Sequence, residues 1–474
     1  MPSIPSEAIA SEAIPSGAIP SEANQLELGD IQGMALRAYR FPFGLHHFLK
    51  IGDAGAARVW LARVAAQVTS VEAIDHDPER ATNVCLSWQG LAALGMPPES
   101  LQSFPEAFRQ GMAARAKAGK LGDTGDSAPD RWDNPLGSQD IHVLVSLSAA
   151  SADILTEADR DLREGLREAG SPVIIHTEAA ALLPGPDGEL QPVEHFGYRD
   201  GISQPSIEGS GLPFIPGQGA VESDGSWRPL RSGEFVLGYP DEFGRVARTP
   251  SPARLARNGT FLVFRKLHQH VARFRTFLLD RAADDPARER LAAKMMGRWR
   301  GGAPIAISPD QDDPALADDA NRNNAFTYAD DKKGRACPLG AHIRRMNPRA
   351  GLTGPAADDV NRHRVLRQGL PYGTRLPPDT TADDGLPRGA IIILINADIA
   401  NQFEFVQRVW MNDGNFALLS GEKDPLIGNN DGTGTFKIPH DGRIETIKAM
   451  RNFVSTRGGE YFFMPGIQAL RHLP

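Results

Sequence analysis

The stretch HFGYRDGISQPSIEG, residues 195–209, places Gly197, Asp200 and Gly201 in a G-x-x-D-G pattern, followed by Pro205 and Gly209. Asp and Gly are both turn formers, and glycine supplies the positive φ that such turns need. His195 and Arg199 stand close to the acid. Taken alone the pattern reads as a turn. With 48 glycines in 474 residues, one G-x-x-D-G arises by chance in roughly one such chain in three. What the acid is for depends on the residues that surround it in the rest of the chain.

A chain of 474 residues is long enough for two or more domains. Its 41% hydrophobic and 23% charged residues are those of an ordinary soluble globular protein. A net charge of -8 argues against general binding to nucleic acid or to an anionic membrane, both of which call for a basic surface. The two cysteines, Cys85 and Cys337, lie in no C-x-x-C, which argues against a disulfide framework and a cysteine-ligated zinc site. No run of about 18 apolar residues is present for a membrane span.

Residues 4–23, IPSEAIASEAIPSGAIPSEA, repeat a Ser-Glu-Ala-Ile-Pro unit. With no basic start and no long apolar core, the repeat is not a Sec signal, and a cytoplasmic location is the expectation. Recurrent proline and small polar residues point to a flexible tail over residues 1–24. Deleting that tail should leave the melting temperature and any cofactor content nearly unchanged, because such a segment buries little surface. A fall of many degrees in a thermal melt would show instead that it packs on the fold.

Beyond the tail, strand and helix patterns alternate. HHFLKIGD (46–53) reads as a strand and AGAARVWLARVAAQV (54–68) as an amphipathic helix. ATNVCLSWQGLAALG is a strand running into a helix, and DIHVLVSLSA (140–149) a further strand. SADILTEADRDLREGLREAG is a capped helix ending at glycine, and SPVIIHTEA is a strand. A similar order returns from about Ser232. GEFVLGY, GTFLVFRKL and GAIIILINA (389–397) read as strands, and HQHVARFRTFLLDRAA and DIANQFEFVQRVWMND as helices. Two α+β halves with antiparallel sheets are expected. The Asp-rich segment 307–335 is a long connection of the kind that is often functional.

The second half supplies partners for the acid. CPLGAHIRRMNPR (337–349) carries His342, then Arg344 and Arg345, and NRHRVLRQGLPYG (361–373) carries Arg362, His363, Arg364 and Arg367. A lone histidine or an arginine cluster usually has a structural role or sits on a solvated face. Together, however, a histidine, a carboxylate and an arginine form the set that peroxide chemistry at haem iron requires. Imidazole suits iron as an axial ligand, a carboxylate can move a proton between the peroxide oxygens, and an arginine stabilises charge on the departing oxygen.

With these strings in view the chain resembles the dye-decolorizing peroxidases, over nearly its whole length from about Asp30. DIQG, FGYRDGISQP, EFVLGYPDEFG, NGTFLVFRKL, CPLGAHIRRMNPR, RVLRQGLPYG, FEFVQRVW and DPLIG fall in the family's order. The resemblance is to the branch with longer loops. It implies two ferredoxin-like α+β domains, residues 25–215 with the G-x-x-D-G motif and 216–474 as the main holder of haem b. It further implies His342 as the iron ligand, Asp200 as the distal acid-base residue and Arg367 as the distal arginine. Arg345 matches a position expected to pair with a haem propionate, while Arg362 and Arg364 are expected to be structural or at the surface. The glycines beside Asp200 are expected to let its backbone pass close to the haem.

A proximal histidine needs an acceptor for its other nitrogen, and Asp398 and Asp424 are both candidates. Ala390 and Ile392 align where relatives carry bulkier residues, which implies a roomier distal pocket. Trp88, Trp132, Trp227, Trp299, Trp410, Tyr328 and Tyr372 are available as electron relays, though each on its own reads as packing. The implied reaction is reduction of hydrogen peroxide with one-electron oxidation of a dye, a phenol or another organic donor. A haem-binding or haem-delivery protein with incidental peroxidase activity is the alternative. An encapsulated cargo would carry a C-terminal targeting extension, and GIQALRHLP gives no sign of one.

Overall fold

The computed structural model describes residues 25–247 and 249–473, so the repeat-bearing tail 1–24 lies outside the described residues. Strands β1 (Phe43–Lys50), β2 (Arg80–Leu86), β3 (Val143–Ala149) and β4 (Val173–Ala181) come from the first half. The second half gives β5 (Thr260–Gln269), β6 (Leu366–Tyr372), β7 (Gly389–Asn396), a hairpin β8 (Asp431–His440) and β9 (Arg443–Arg451), and β10 (Val454–Met464). The large sheet runs β6-β7-β5-β10-β2-β3-β1-β4, and all its pairings are antiparallel. Each half therefore has the same internal order, second strand, third, first, fourth, which is the ferredoxin-like arrangement. The halves meet where β10 lies beside β2, with Phe463 opposite Leu86, so the two expected sheets are fused into one.

Two helices cover one face of the first half. Helix α1 (Ala54–Val64) starts at Asp53, whose side chain accepts the Ala56 N–H. Helix α2 (Ala152–Ala169) starts at Ser151, which accepts from Ile154 N–H, and stops at Gly170 with φ +75°. This is the cap-and-glycine pair read from the sequence. Ala158, Leu162 and Leu166, four residues apart, pack with Trp60 and Leu61 of α1 onto Leu49 and Val143 of the sheet. Burying each of these large apolar side chains contributes about 1.5–3 kcal/mol.

In the second half, helix α3 (Val271–Leu279) follows β5 as expected. The expected helix at 398–413 is wound more widely, as π-helix over Ala400–Glu404 and Val406–Met411, with the Glu404 N–H donating to the Ile399 carbonyl five residues back. Such windings cluster at functional sites. GEFVLGY is not a strand. Its N-terminal end is a buried 3₁₀ turn, Ser232–Glu234, and the Gly233 N–H donates to the Pro240 carbonyl at 3.0 Å. A chain that closes on itself within eight residues cannot be extended. A Cβ on Gly233 would lie 2.3 Å from the Tyr239 carbonyl. The Asp-rich connection holds one short helix, Pro314–Asp318.

Beneath the π-wound segment the space between helix and sheet is a cavity of about 390 Å³ rather than packed side chains. Among the described residues no helix is long and apolar enough to cross a membrane.

Candidate active site

His342 opens a short helix α4 (His342–Met346) after the Gly-Ala step of CPLGAH, and its side chain lines the cavity. Its Nδ1 lies 2.9 Å from Oδ2 of Asp424. Asp424 is fully buried, and its Oδ1 accepts the N–H groups of Leu426 and Ile427 at 2.9 and 3.0 Å. Burial alone would raise the Asp424 carboxyl, but the His342 ring and these hydrogen bonds hold it below its ordinary value. An ionised acceptor requires Nδ1–H to donate, which leaves Nε2 as a free lone pair at the cavity. Asp424 is therefore the partner of His342. Asp398 instead caps the π-wound segment, accepting the Asn401 N–H at 3.0 Å.

Asp424→Asn keeps the shape but offers the imidazole an amide in place of a carboxylate. Loss of such a partner typically costs 10–100-fold in metal affinity or activity, and the weaker acceptor should also raise the reduction potential of a metal held by His342. Spectroelectrochemistry of the variant checks this, and an unchanged potential would contradict the assignment.

Asp200 and Arg367, 167 positions apart, meet at the same cavity. Arg367 Nη1 donates to Asp200 Oδ2 at 3.0 Å and Nη2 to Oδ1 at 2.6 Å, a bidentate pair. Oδ1 also accepts the Gly201 N–H at 2.7 Å. Burial works to raise the Asp200 carboxyl, and the Arg367 charge, its hydrogen bonds and the Gly201 N–H together outweigh it, so the group lies below its ordinary 3.8. Gly197 and Gly201 have φ of +93° and +76°, and this left-handed backbone favours glycine at both positions. Ala390 and Ile392 line the cavity, as do Trp299 and Tyr328.

Arg345 stands elsewhere than expected. It is completely buried and donates Nη1 to the Glu422 carbonyl and Nη2 to the Asp413 carbonyl, both at 2.8 Å, with Nε on the Trp410 carbonyl. Every face of its guanidinium is taken by main chain, and it is not among the residues lining the cavity. Its part is to tie the end of the π-wound segment to the loop that carries Asp424.

Six arginines line the cavity; Arg199, Arg265 and Arg367 are paired with Asp318, Asp123 and Asp200. The remaining three are Arg298 and Arg349, which sequence reasoning missed, and Arg364, which it expected to be structural or at the surface. Burial lowers Arg298 to about 10 and Arg364 to about 9, both with a contribution from the Arg349 charge. Arg349 donates to the carbonyls of Gly217, Asn324 and Phe326. None of the three forms an ion pair with a carboxylate among the described residues. Buried cations without counter-charges are costly, and a cofactor bearing carboxylates would supply those charges. Together with the apolar walls and the free imidazole nitrogen, this donor set fits haem. The sequence signal for Arg349 was its place seven residues after His342 inside CPLGAHIRRMNPR.

No family model matches the chain. It is 33% identical to a dye-decolorizing peroxidase of Mycena epipterygia over 94% of this chain and 86% of the relative. A multifunctional dye peroxidase of an Amycolatopsis species is 31% identical over 90% of this chain and 91% of its own. The solved structure of an ancestral D-type dye-decolorizing peroxidase superposes with a TM-score of 0.82 at 32% identity, covering 94% of this chain and 99% of that one. Identity at this level over nearly the whole length, with the same fold, shows that the chain belongs to the dye-decolorizing peroxidase family.

Proposed function

We propose that the chain is a haem b peroxidase that reduces hydrogen peroxide and oxidises dyes, phenols or related organic donors by one-electron steps. The observation that carries this reading is a single cavity with His342, backed by Asp424, facing it and the Asp200–Arg367 pair also at its wall. His342 Nε2 would hold the iron, and Arg349 and Arg364 would receive the propionates. Bound haem supplies an open coordination position and the electrons that cleave the oxygen–oxygen bond.

The protein residues handle the proton and the charge. Asp200 Oδ1 already accepts two hydrogen bonds, while Oδ2 accepts only one. Oδ2 is therefore the oxygen with capacity to take a proton from peroxide and pass it to the oxygen that leaves as water. Arg367 keeps the carboxylate ionised beforehand and stabilises negative charge on the departing oxygen. A carrier of haem needs only a ligand and a cleft, so the paired acid and arginine favour the enzyme. The relative solved in complex with 2,6-dimethoxyphenol supports phenols as the donor class here.

The test is an absorption spectrum of the purified protein before and after one equivalent of peroxide. A Soret band that shifts on peroxide and returns on adding a phenol supports the reading. Protein that takes up no haem would end it.

A further inference from the structure

Gln204, four residues beyond Asp200 in GYRDGISQP, makes contacts that the chemistry above does not use. Its side-chain amide faces the main chain of Arg367. Gln204 Nε2 donates to the Arg367 carbonyl at 2.6 Å, and the Arg367 N–H donates to Gln204 Oε1 at 3.2 Å. A primary amide carries one donor and one acceptor side by side, as a neighbouring strand's backbone would. β6 is the end strand of the large sheet, with β7 as its sheet neighbour. Gln204 thus stands in for the missing strand at one residue, Arg367. The Gln204 N–H is fixed in turn by Gln218 Oε1 at 3.1 Å, so the amide is held from behind.

The geometry points to Gln204 as the positioning residue of the distal pair: it sets the depth of β6 against the Asp200 loop, so that the Arg367 guanidinium meets the Asp200 carboxylate in register. This rests on the peroxidase reading above. Asp200 and Arg367 come from segments far apart in sequence, and their two bonds of 2.6 and 3.0 Å leave little room for a slip. Gly369, two residues along the same edge, keeps its place open, since a Cβ there would lie 3.3 Å from Asp200 Oδ2. A displacement of about 1 Å in catalytic geometry costs on the order of 100-fold in rate. Other charges acting on Asp200 are His342 and Glu194, and neither touches Gln204.

The experiment uses the haem-loaded full chain with hydrogen peroxide as the probe. Gln204→Leu should keep its haem and its resting spectrum, while the bimolecular rate with peroxide falls roughly 10–100-fold. Its pH profile should move too. With Arg367 loosened, the acid limb of the rate should shift to higher pH, which a merely structural change would not produce. In an Arg367→Leu background, Gln204→Leu should add nothing further, because the two act through one contact. Gln204→Glu, which keeps the acceptor and loses the donor, gives a second reading should the leucine variant lose haem. A wild-type rate and acid limb in both variants, full additivity with Arg367→Leu, or loss of haem from both variants would each overturn the proposal. A wild type that binds haem yet ignores peroxide would instead sink the peroxidase reading itself.

Discussion

His342→Ala should come off the column nearly free of haem, with the haem-to-protein ratio falling from stoichiometric to a small fraction. In the proposed reading the imidazole would hold the iron through Nε2, which the Asp424 bond leaves free. His363 also lines the cavity, but it cannot take over. Its Nδ1 faces the Asn401 carbonyl at 2.5 Å and its Nε2 lies 3.2 Å from Asp359, so both ring nitrogens are engaged. Residual haem would be held only by apolar walls and the arginines. Added imidazole should enter the space of the lost side chain and restore a histidine-like spectrum. The haem ratio, measured as the pyridine complex, checks the first statement. A variant with full haem and an unchanged spectrum would remove His342 from its role.

The second large effect separates the distal pair. Asp200→Asn should keep haem but lose peroxide reactivity by about 10²–10⁴-fold, the range for general acid–base catalysis. Arg367→Leu removes charge stabilisation, worth about 10²–10³-fold where a single donor to a developing anion is lost. The two differ in pH dependence. In the wild type the Asp200 carboxyl is depressed below 3.8, so the rate with peroxide is present above that value and is lost as pH falls through the depressed pKa. In Arg367→Leu the counter-charge is gone and only the Gly201 N–H and the His342 ring still oppose burial, so the acid limb should move upward. In Asp200→Asn it should vanish. Rates must be read from the spectral change on peroxide addition, since dye bleaching has acid preferences of its own. Equal rates in wild type and Asp200→Asn across the pH range would refute the proton-carrying role.

Elements with one dominant local signal were legible in the sequence. The helix at 152–169 announces itself by Ser151, Gly170 and a four-residue apolar spacing, and the run FLVF within β5 by its buried, strand-length stretch. GEFVLGY looked the same as that run. It differs only because Gly233 and Gly238 fold it back, and composition alone does not distinguish a buried turn from a buried strand. The wide winding after Ile399 was equally hidden, since the residue types that favour an α-helix carry no separate signal for π-winding. For the site, His342, Asp200 and Arg367 were readable as motif residues. Their partners were not. Asp424 lies 82 positions from His342, and only the fold chooses it over Asp398. Arg345 and Arg349 sit in the same string, and which of them turns to the cavity is settled by where the carbonyls of Trp410, Asp413 and Glu422 happen to lie.

The two halves repeat one strand order, yet the layer between helix and sheet is solid in one and hollow in the other. In the first half Trp60, Leu61, Leu162 and Leu166 supply that layer from the chain itself. In the second half the corresponding space is a cavity of about 390 Å³, and under the proposed reading haem would complete that layer as well as react there. Haem that binds there would stabilise that half by mass action. Such a division lets the two repeats diverge under different constraints. Substitutions under α1 and α2 are judged by packing alone, whereas those under the π-wound segment must suit a flat, rigid guest that the genome does not encode.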